Sequence, residues 1–239
     1  MTIAGDGTVV DMHMHTVLGA YDSSLKPEDL VEEARRVGLT GANISEHDRI
    51  WDEFALTRYR AAHPTLFINN GMEVSTDMGH ILAIGLKGYA PGIRRLAELR
   101  RVIDDAGGFL IAAHPFRHFF DPVHFMRQGK KPIEMIPEQL AKLPVLEYVD
   151  AIEVLNGCNT PRENIFALQV AKVLGKPGTG GSDCHSTQGI GIYCTVFERH
   201  LETPEQMLAE LKAGRFHAGH DLAQNNLTLF TETSLGQRD

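Results

Sequence analysis

Short apolar runs alternate with amphipathic stretches along most of the chain, and no low-complexity linker divides them. Residues 8–13 read as a first strand. Lys26-Pro27-Glu28-Asp29 then opens a helix, because proline suits a first turn and acids suit the positive end of the dipole. Leu30, Ala34 and Val37 supply its apolar stripe and Gly38 its stop. A strand over 40–45 and a helix over 51–62 follow, then strands over 66–74 and 80–86. Leu96, Leu99, Val102 and Ile103 recur at helical spacing within 92–106, and Gly107-Gly108 closes that helix. Further strands are predicted over 109–113, 150–155, 177–180 and 192–197, with helices over 160–174 and 204–213. Residues 116–137 form an irregular insertion rich in aromatic and basic side chains, and a connection of that length is usually functional or mobile. The tail over 216–239 is poorly patterned.

Strand–helix alternation of this kind implies a mainly parallel sheet covered by helices. Such sheets carry their functional groups at the carboxyl ends of the strands. Composition then adds one unusual feature. The 239 residues contain 12 histidines, against 5 tyrosines and 1 tryptophan. Lys plus Arg is 23 and Asp plus Glu 31, a net charge of −8. That balance argues against sequence-blind binding of long nucleic acid or anionic membrane, both of which need a cationic surface. Three cysteines without C-x-x-C spacing favour a reduced compartment. With neither a leader-like start nor a long apolar run, the expectation is a cytoplasmic protein.

The histidines fall where the alternation puts strand ends. His13 and His15 in Asp11-Met12-His13-Met14-His15 share one face of the first strand, a suitable pair for a divalent metal. Each motif alone has a plain alternative, such as a chance H-x-H facing solvent or an exposed acid. His47 closes the second strand in I-S-E-H-D. Glu73 lies in G-M-E, His80 begins the returning strand in G-H-I-L, and His114 ends another in A-A-H-P-F-R. Asp183 and His185 repeat the same-face spacing in G-S-D-C-H, behind glycines that permit close approach. Random placement would put several of these inside helices, so the joint pattern carries the weight.

In family order, D-M-H-M-H-T, I-S-E-H-D, G-M-E, G-H-I-L, A-A-H-P-F-R, I-E-V-L-N and G-S-D-C-H resemble the polymerase and histidinol phosphatase (PHP) family of metal-dependent phosphoesterases. The resemblance spans residues 13–197, most of the chain. It implies a single α/β domain over 1–239, a distorted (β/α)7 barrel of TIM type. It also implies two to three divalent metals, with Zn, Mn and Fe all compatible. The implied ligands are His13, His15, His47, Glu73, His80, His114, Asp183 and His185, with Asp22 as a further candidate. Glu46 stands where the family usually has Asp.

The expected chemistry is hydrolysis of a small phosphorylated metabolite or nucleotide, by attack of a metal-bridging hydroxide on phosphorus. His114 and Asp183 are candidates for the leaving-group proton. Arg117 is the first candidate for a phosphate clamp, because a guanidinium fork matches phosphate oxygens, and Arg162 the second. Alternatives are a 3′–5′ exonuclease or oligonucleotide hydrolase, and a non-catalytic metal-binding regulatory module. His118, His124, Lys130 and Lys131 in the insertion are expected in a solvated loop. Cys184, between two ligands, is expected to point away from them.

Overall fold

A computed structural model describes residues 7–127 and 136–231. Lys130 and Lys131, the middle of the insertion and the last residues of the tail lie outside the described residues, as does the side chain of His124. In chain order the elements are β1 (Thr8–Met14), α1 (Pro27–Val37), β2 (Gly41–His47), α2 (Glu53–Ala62), β3 (Phe67–Thr76) and β4 (Gly79–Ile84). There follow α3 (Leu96–Asp105), β5 (Phe109–Ala112), α4 (Pro122–Arg127), α5 (Pro137–Leu140), α6 (Val145–Tyr148), β6 (Ala151–Asn156) and α7 (Pro161–Leu174). The chain continues through β7 (Gly178–Gly181), β8 (Tyr193–Phe197), α8 (Pro204–Ala213), β9 (Phe216–His220) and β10 (Thr228–Leu229).

Local chemistry sets the helix limits. Pro27 occupies the first turn of α1, and Gly38 ends it at φ 86°. Thr160 with Glu163, and Thr203 with Gln206, form reciprocal capping boxes at α7 and α8. The apolar faces of α3 and α7 pack on the sheet, so Leu96, Leu99, Phe166 and Val170 join one core with Ile81, Leu110 and Ile152. No helix among the described residues is long and apolar enough to cross a membrane.

All ten described strands form one sheet, ordered β10-β9-β8-β1-β2-β3-β4-β5-β6-β7. The α/β class holds, but the sheet is mixed rather than mainly parallel. β1–β2, β2–β3, β5–β6 and β6–β7 are parallel, whereas β3–β4, β4–β5, β1–β8, β8–β9 and β9–β10 are antiparallel. At β3–β4 the cause is connection length. Only Asp77 and Met78 separate β3 from β4, enough for a hairpin and too short for a helical crossover. β4, which returns through that hairpin with no helix before it, interrupts the strand–helix alternation. The start of the tail also differs from the reading of the sequence. Residues 216–220 form β9, whose short alternating run Phe216-His217-Ala218 pairs with β8.

The sheet curls until its β7 edge meets β1. Asp183 N–H donates to His13 O at 2.7 Å, and His15 N–H to Cys184 O at 3.1 Å. Asp11, fully buried in β1, fastens this seam. Its carboxylate accepts from Ser182 N at 2.8 Å, His13 N at 3.2 Å and Gly191 N at 3.1 Å. Burial pushes its pKa up to about 6, against the partial opposition of those N–H groups. Raised in the folded state, the carboxyl contributes stability that is complete below the unfolded value near 4 and lost as pH rises through about 6. The stability advantage of the wild type over Asp11→Asn, measured by denaturant titration with chelator present, should therefore shrink between about pH 4.5 and 7.5. A difference that stays flat over that window would refute this.

Candidate metal centre

The strand ends deliver the nine sequence candidates to one region. Alternation along β1 turns His13 inward, and His15 follows just past the strand. Their rings lie 5.0 Å apart, while Met12 and Met14 pack into the protein as buried residues. His47 ends β2 directly beside Glu73 of β3, its register partner. His80 pairs with Ser75 across the β3–β4 hairpin. His114 and Asp183 follow β5 and β7 with φ of 31° and 54°, a left-handed backbone that non-glycine residues adopt at a cost. Held strain of this kind clusters at functional sites. Cys184 points away into the apolar core with Met14 and Leu25.

Glu73, almost wholly buried, is the hub. Its Oε1 lies 2.8 Å from His80 Nδ1 and 3.0 Å from His114 Nε2. Its Oε2 lies 2.9 Å from His47 Nδ1, 3.3 Å from His15 Nε2 and 3.5 Å from His13 Nε2. Asp183 Oδ1 faces the same pair, 3.3 Å from His15 Nε2 and 3.5 Å from His13 Nε2. Asp22 approaches from the outside, 3.6 Å from His47 Nε2 and 3.5 Å from His185 Nε2. Three groups have donor atoms within 4.8 Å of one another: His15–His47–His185, His13–Glu73–His114 and His13–His15–Asp183. Seven of the nine candidates belong to these groups. His80 and Asp22 stand at the rim, 41% and 43% exposed.

Hydrogen bonding tests whether metal fits. His13 Nε2, His15 Nδ1 and His15 Nε2 are buried without a hydrogen-bond partner. Burying polar atoms unpaired costs about 1–3 kcal/mol each, a cost that coordination would remove. Imidazoles with carboxylates suit Zn, Mn and Fe alike, so the donor set fits divalent metal. Burial opposes the charged form of His13, yet Asp183, Glu153 and Glu73 outweigh it and raise its pKa well above the usual value. Burial dominates at His15 and lowers it to about 4, keeping that imidazole neutral as a ligand must be. Asp183 and Glu73 are held well below the ordinary carboxylate range, despite burial, chiefly by His13.

The supporting residues are less visible in sequence. Glu153 of β6, within I-E-V-L-N, accepts from His13 Nδ1 at 2.9 Å and from His114 N at 2.8 Å. That leaves His13 Nε2 to face the centre. Glu153→Gln should cost about 10–100-fold in metal affinity or activity, the usual effect of removing a carboxylate behind a ligand histidine. Metal titration of the variant checks this, and unchanged affinity and turnover would refute it. The sequence shows only an acid within an apolar run; its burial and its partners come from the fold.

Glu46 does not orient His47. Its carboxylate accepts from Thr16 N at 3.1 Å, from Thr16 Oγ1 and from Trp51 Nε1 at 2.8 Å, and so pins the loop after β1. Arg117 reaches the centre's edge, bonded to Asp183, to Asn156 Oδ1 at 2.7 Å and to Asn159 Oδ1 at 3.2 Å. Arg162 is placed differently from the sequence reading. Its guanidinium stacks over the Phe120 ring at 4.1 Å, and no contact with the cluster joins it among the described residues. Position at the start of α7 turns its side chain toward the insertion instead of the strand ends.

The site is thus a curled α/β sheet with histidines and carboxylates clustered at its strand ends. The PHP-associated family model matches residues 161–216, which bears out the PHP resemblance. That segment runs from α7 to the first residue of β9 and includes Asp183 and His185. No curated protein matches the sequence. Three solved structures share the fold. PsfC from Pseudomonas syringae aligns at TM-score 0.58 and 19% identity, over 85% of this chain and 88% of its own. A candidate metal-dependent phosphoesterase from Bifidobacterium adolescentis aligns at 0.55 and 20%, over 74% and 87%. An amidohydrolase from Chromobacterium violaceum, with bound sulfate and no metal, aligns at 0.57 and 15%, over 94% and 99%.

Proposed function

We propose that this protein is a metal-dependent hydrolase that cleaves phosphoric esters of small molecules in the cytoplasm. The observation that carries the reading is the presence of three donor groups in one cluster, one containing Glu73 and one Asp183, with buried ring nitrogens left unpaired. His13, His15, Asp22, His47, Glu73, His80, His114, Asp183 and His185 would hold two to three divalent ions. When bound, such ions lower the pKa of water toward neutrality and offset charge on phosphate oxygens.

The chain's own groups do the rest. Arg117, pinned along one edge by Asn156 and Asn159 and still 24% exposed, offers fixed positive charge beside Asp183 for a phosphate oxygen. Despite its burial, Asp183 is held well below the ordinary carboxylate range, chiefly by His13, which suits a ligand. The net charge of −8 favours a small substrate over a polynucleotide. A panel of phosphomonoesters, phosphodiesters and amides, offered to protein loaded with Mn, Zn or Fe, tests the proposal. Turnover of a phosphoester that chelator abolishes and metal restores is expected. Turnover of amides alone, or of nothing under any metal, would refute it.

A further inference from the structure

Three asparagines stand at and beyond the end of β6. Asn156 closes the strand, Asn159 follows in the turn and Asn164 lies on α7. Two of them hold Arg117. Asn156 Oδ1 accepts from Arg117 Nη2 at 2.7 Å, and Asn159 Oδ1 accepts from Arg117 Nε at 3.2 Å. An amide can turn either end to a neighbour, so its orientation follows from what its NH2 group finds. Asn156 Nδ2 donates to Glu153 Oε2 at 2.9 Å and to Asp183 Oδ2 at the longer 3.3 Å. Asn159 Nδ2 donates to Asn164 Oδ1 at 3.2 Å. Asn164 also grips the Asn156 backbone, accepting from its N at 3.1 Å and donating to its O at 3.2 Å. With both NH2 groups engaged, both carbonyl oxygens are left for the guanidinium.

The turn is also fastened to the segment that carries Asp183. Gly157 N donates to Gly181 O at 3.2 Å, and a Cβ on Gly157 would come within 2.2 Å of Ser182 O. Charge completes the picture. Arg100 lies between Asp104 and Asp150, whose carboxylates offset its charge. Arg117 is oriented instead by two neutral amide oxygens, with Asp183 its one carboxylate partner among the described residues. We propose that Asn156 and Asn159 are positioning residues that hold the Arg117 guanidinium ready for a phosphate group. This rests on the reading of Arg117 as the phosphate clamp and names the residues on which the clamp depends. A guanidinium fixed beforehand loses less freedom when an anion arrives, and neutral holders leave it more charge to offer.

The test is calorimetric titration of the metal-loaded protein with inorganic phosphate, which needs no turnover. Asn156→Ala should weaken phosphate about tenfold, and Asn159→Ala, whose bond is longer, about threefold. Each exchange is then repeated in Arg117→Ala. A positioning residue acts through Arg117, so neither exchange should weaken phosphate further once the guanidinium is gone. A merely structural role would add its own loss to that of Arg117→Ala. Additive losses, or phosphate affinity untouched by both asparagine exchanges, would overturn the proposal. Asn159, only half-buried, carries the test alone if Asn156→Ala does not fold. Wild-type protein that binds no phosphate, or Arg117→Ala that binds it normally, would overturn the clamp and its holders together. If phosphate binding responds as expected while no phosphoester is turned over, the phosphoesterase reading fails and the asparagine holders stand.

Discussion

Glu73→Gln should reduce phosphoester turnover more than any other single exchange that keeps side-chain shape. Its two oxygens together approach five imidazoles, and it sits in the group that joins His13 to His114. Glutamine keeps the volume but removes one negative charge, and turns an NH2 toward ring nitrogens whose lone pairs a metal needs. Carboxylates one step behind a ligand cost about 10–100-fold when lost. A carboxylate in direct contact with the donors should exceed that range, so kcat/KM should fall by more than about 100-fold. Elemental analysis should find less metal per chain, and a cooperative melt should show that the fold persists. Normal metal content with normal turnover would remove Glu73 from the centre.

How far such a site is legible in an amino-acid sequence depends on the kind of signal. His13, His15, His47, His114, Asp183 and His185 could be placed because each ends an apolar run, and the run itself marks the strand. The helices α1 and α8 announce themselves through Pro27 with Gly38, and Thr203-Pro204 with Gly214. These are local interactions, read within a few residues.

What was illegible depends on pairing between distant segments. The turn at Asp77 and Met78 makes β4 antiparallel, and only the register of Glu73 against Leu82 shows which faces then meet. Glu153 looks like an ordinary strand acid until the sheet closes its β7 edge onto β1, which brings the carboxylate to His13 Nδ1 from 140 residues away. Glu46 resembles the residue expected behind His47, yet its extra methylene accompanies a turn toward Thr16 and Trp51. Arg162 follows the same lesson. A cation beside a strand end is only a candidate clamp, and Phe120 gives its guanidinium another place to rest.

Gly181→Ala should couple a loss of stability to a loss of activity at a residue that has no side chain of its own. A Cβ on Gly181 would lie 2.5 Å from His13 Cβ and 2.7 Å from His13 N. Backbone and a buried ligand residue cannot swing aside as a flexible side chain would. Relief requires β7 to retreat from β1 by about 1 Å, toward the 3.5–4.0 Å at which carbon atoms rest. Overpacking of this severity costs about 3 kcal/mol, near 6–12 °C in Tm for a chain of this length. The retreat also carries Asp183 and His185 away from His13 and His15, because Asp183 N–His13 O and His15 N–Cys184 O are the bonds that join the two segments. A displacement of about 1 Å in positioning groups can cost on the order of 100-fold in rate. Gly88→Ala, where an added Cβ meets nothing within 4 Å, should change neither quantity. Thermal melts and turnover of the two variants side by side decide the matter: a Gly181→Ala protein as stable and active as Gly88→Ala would mean that the β7–β1 seam does not set the metal centre's geometry.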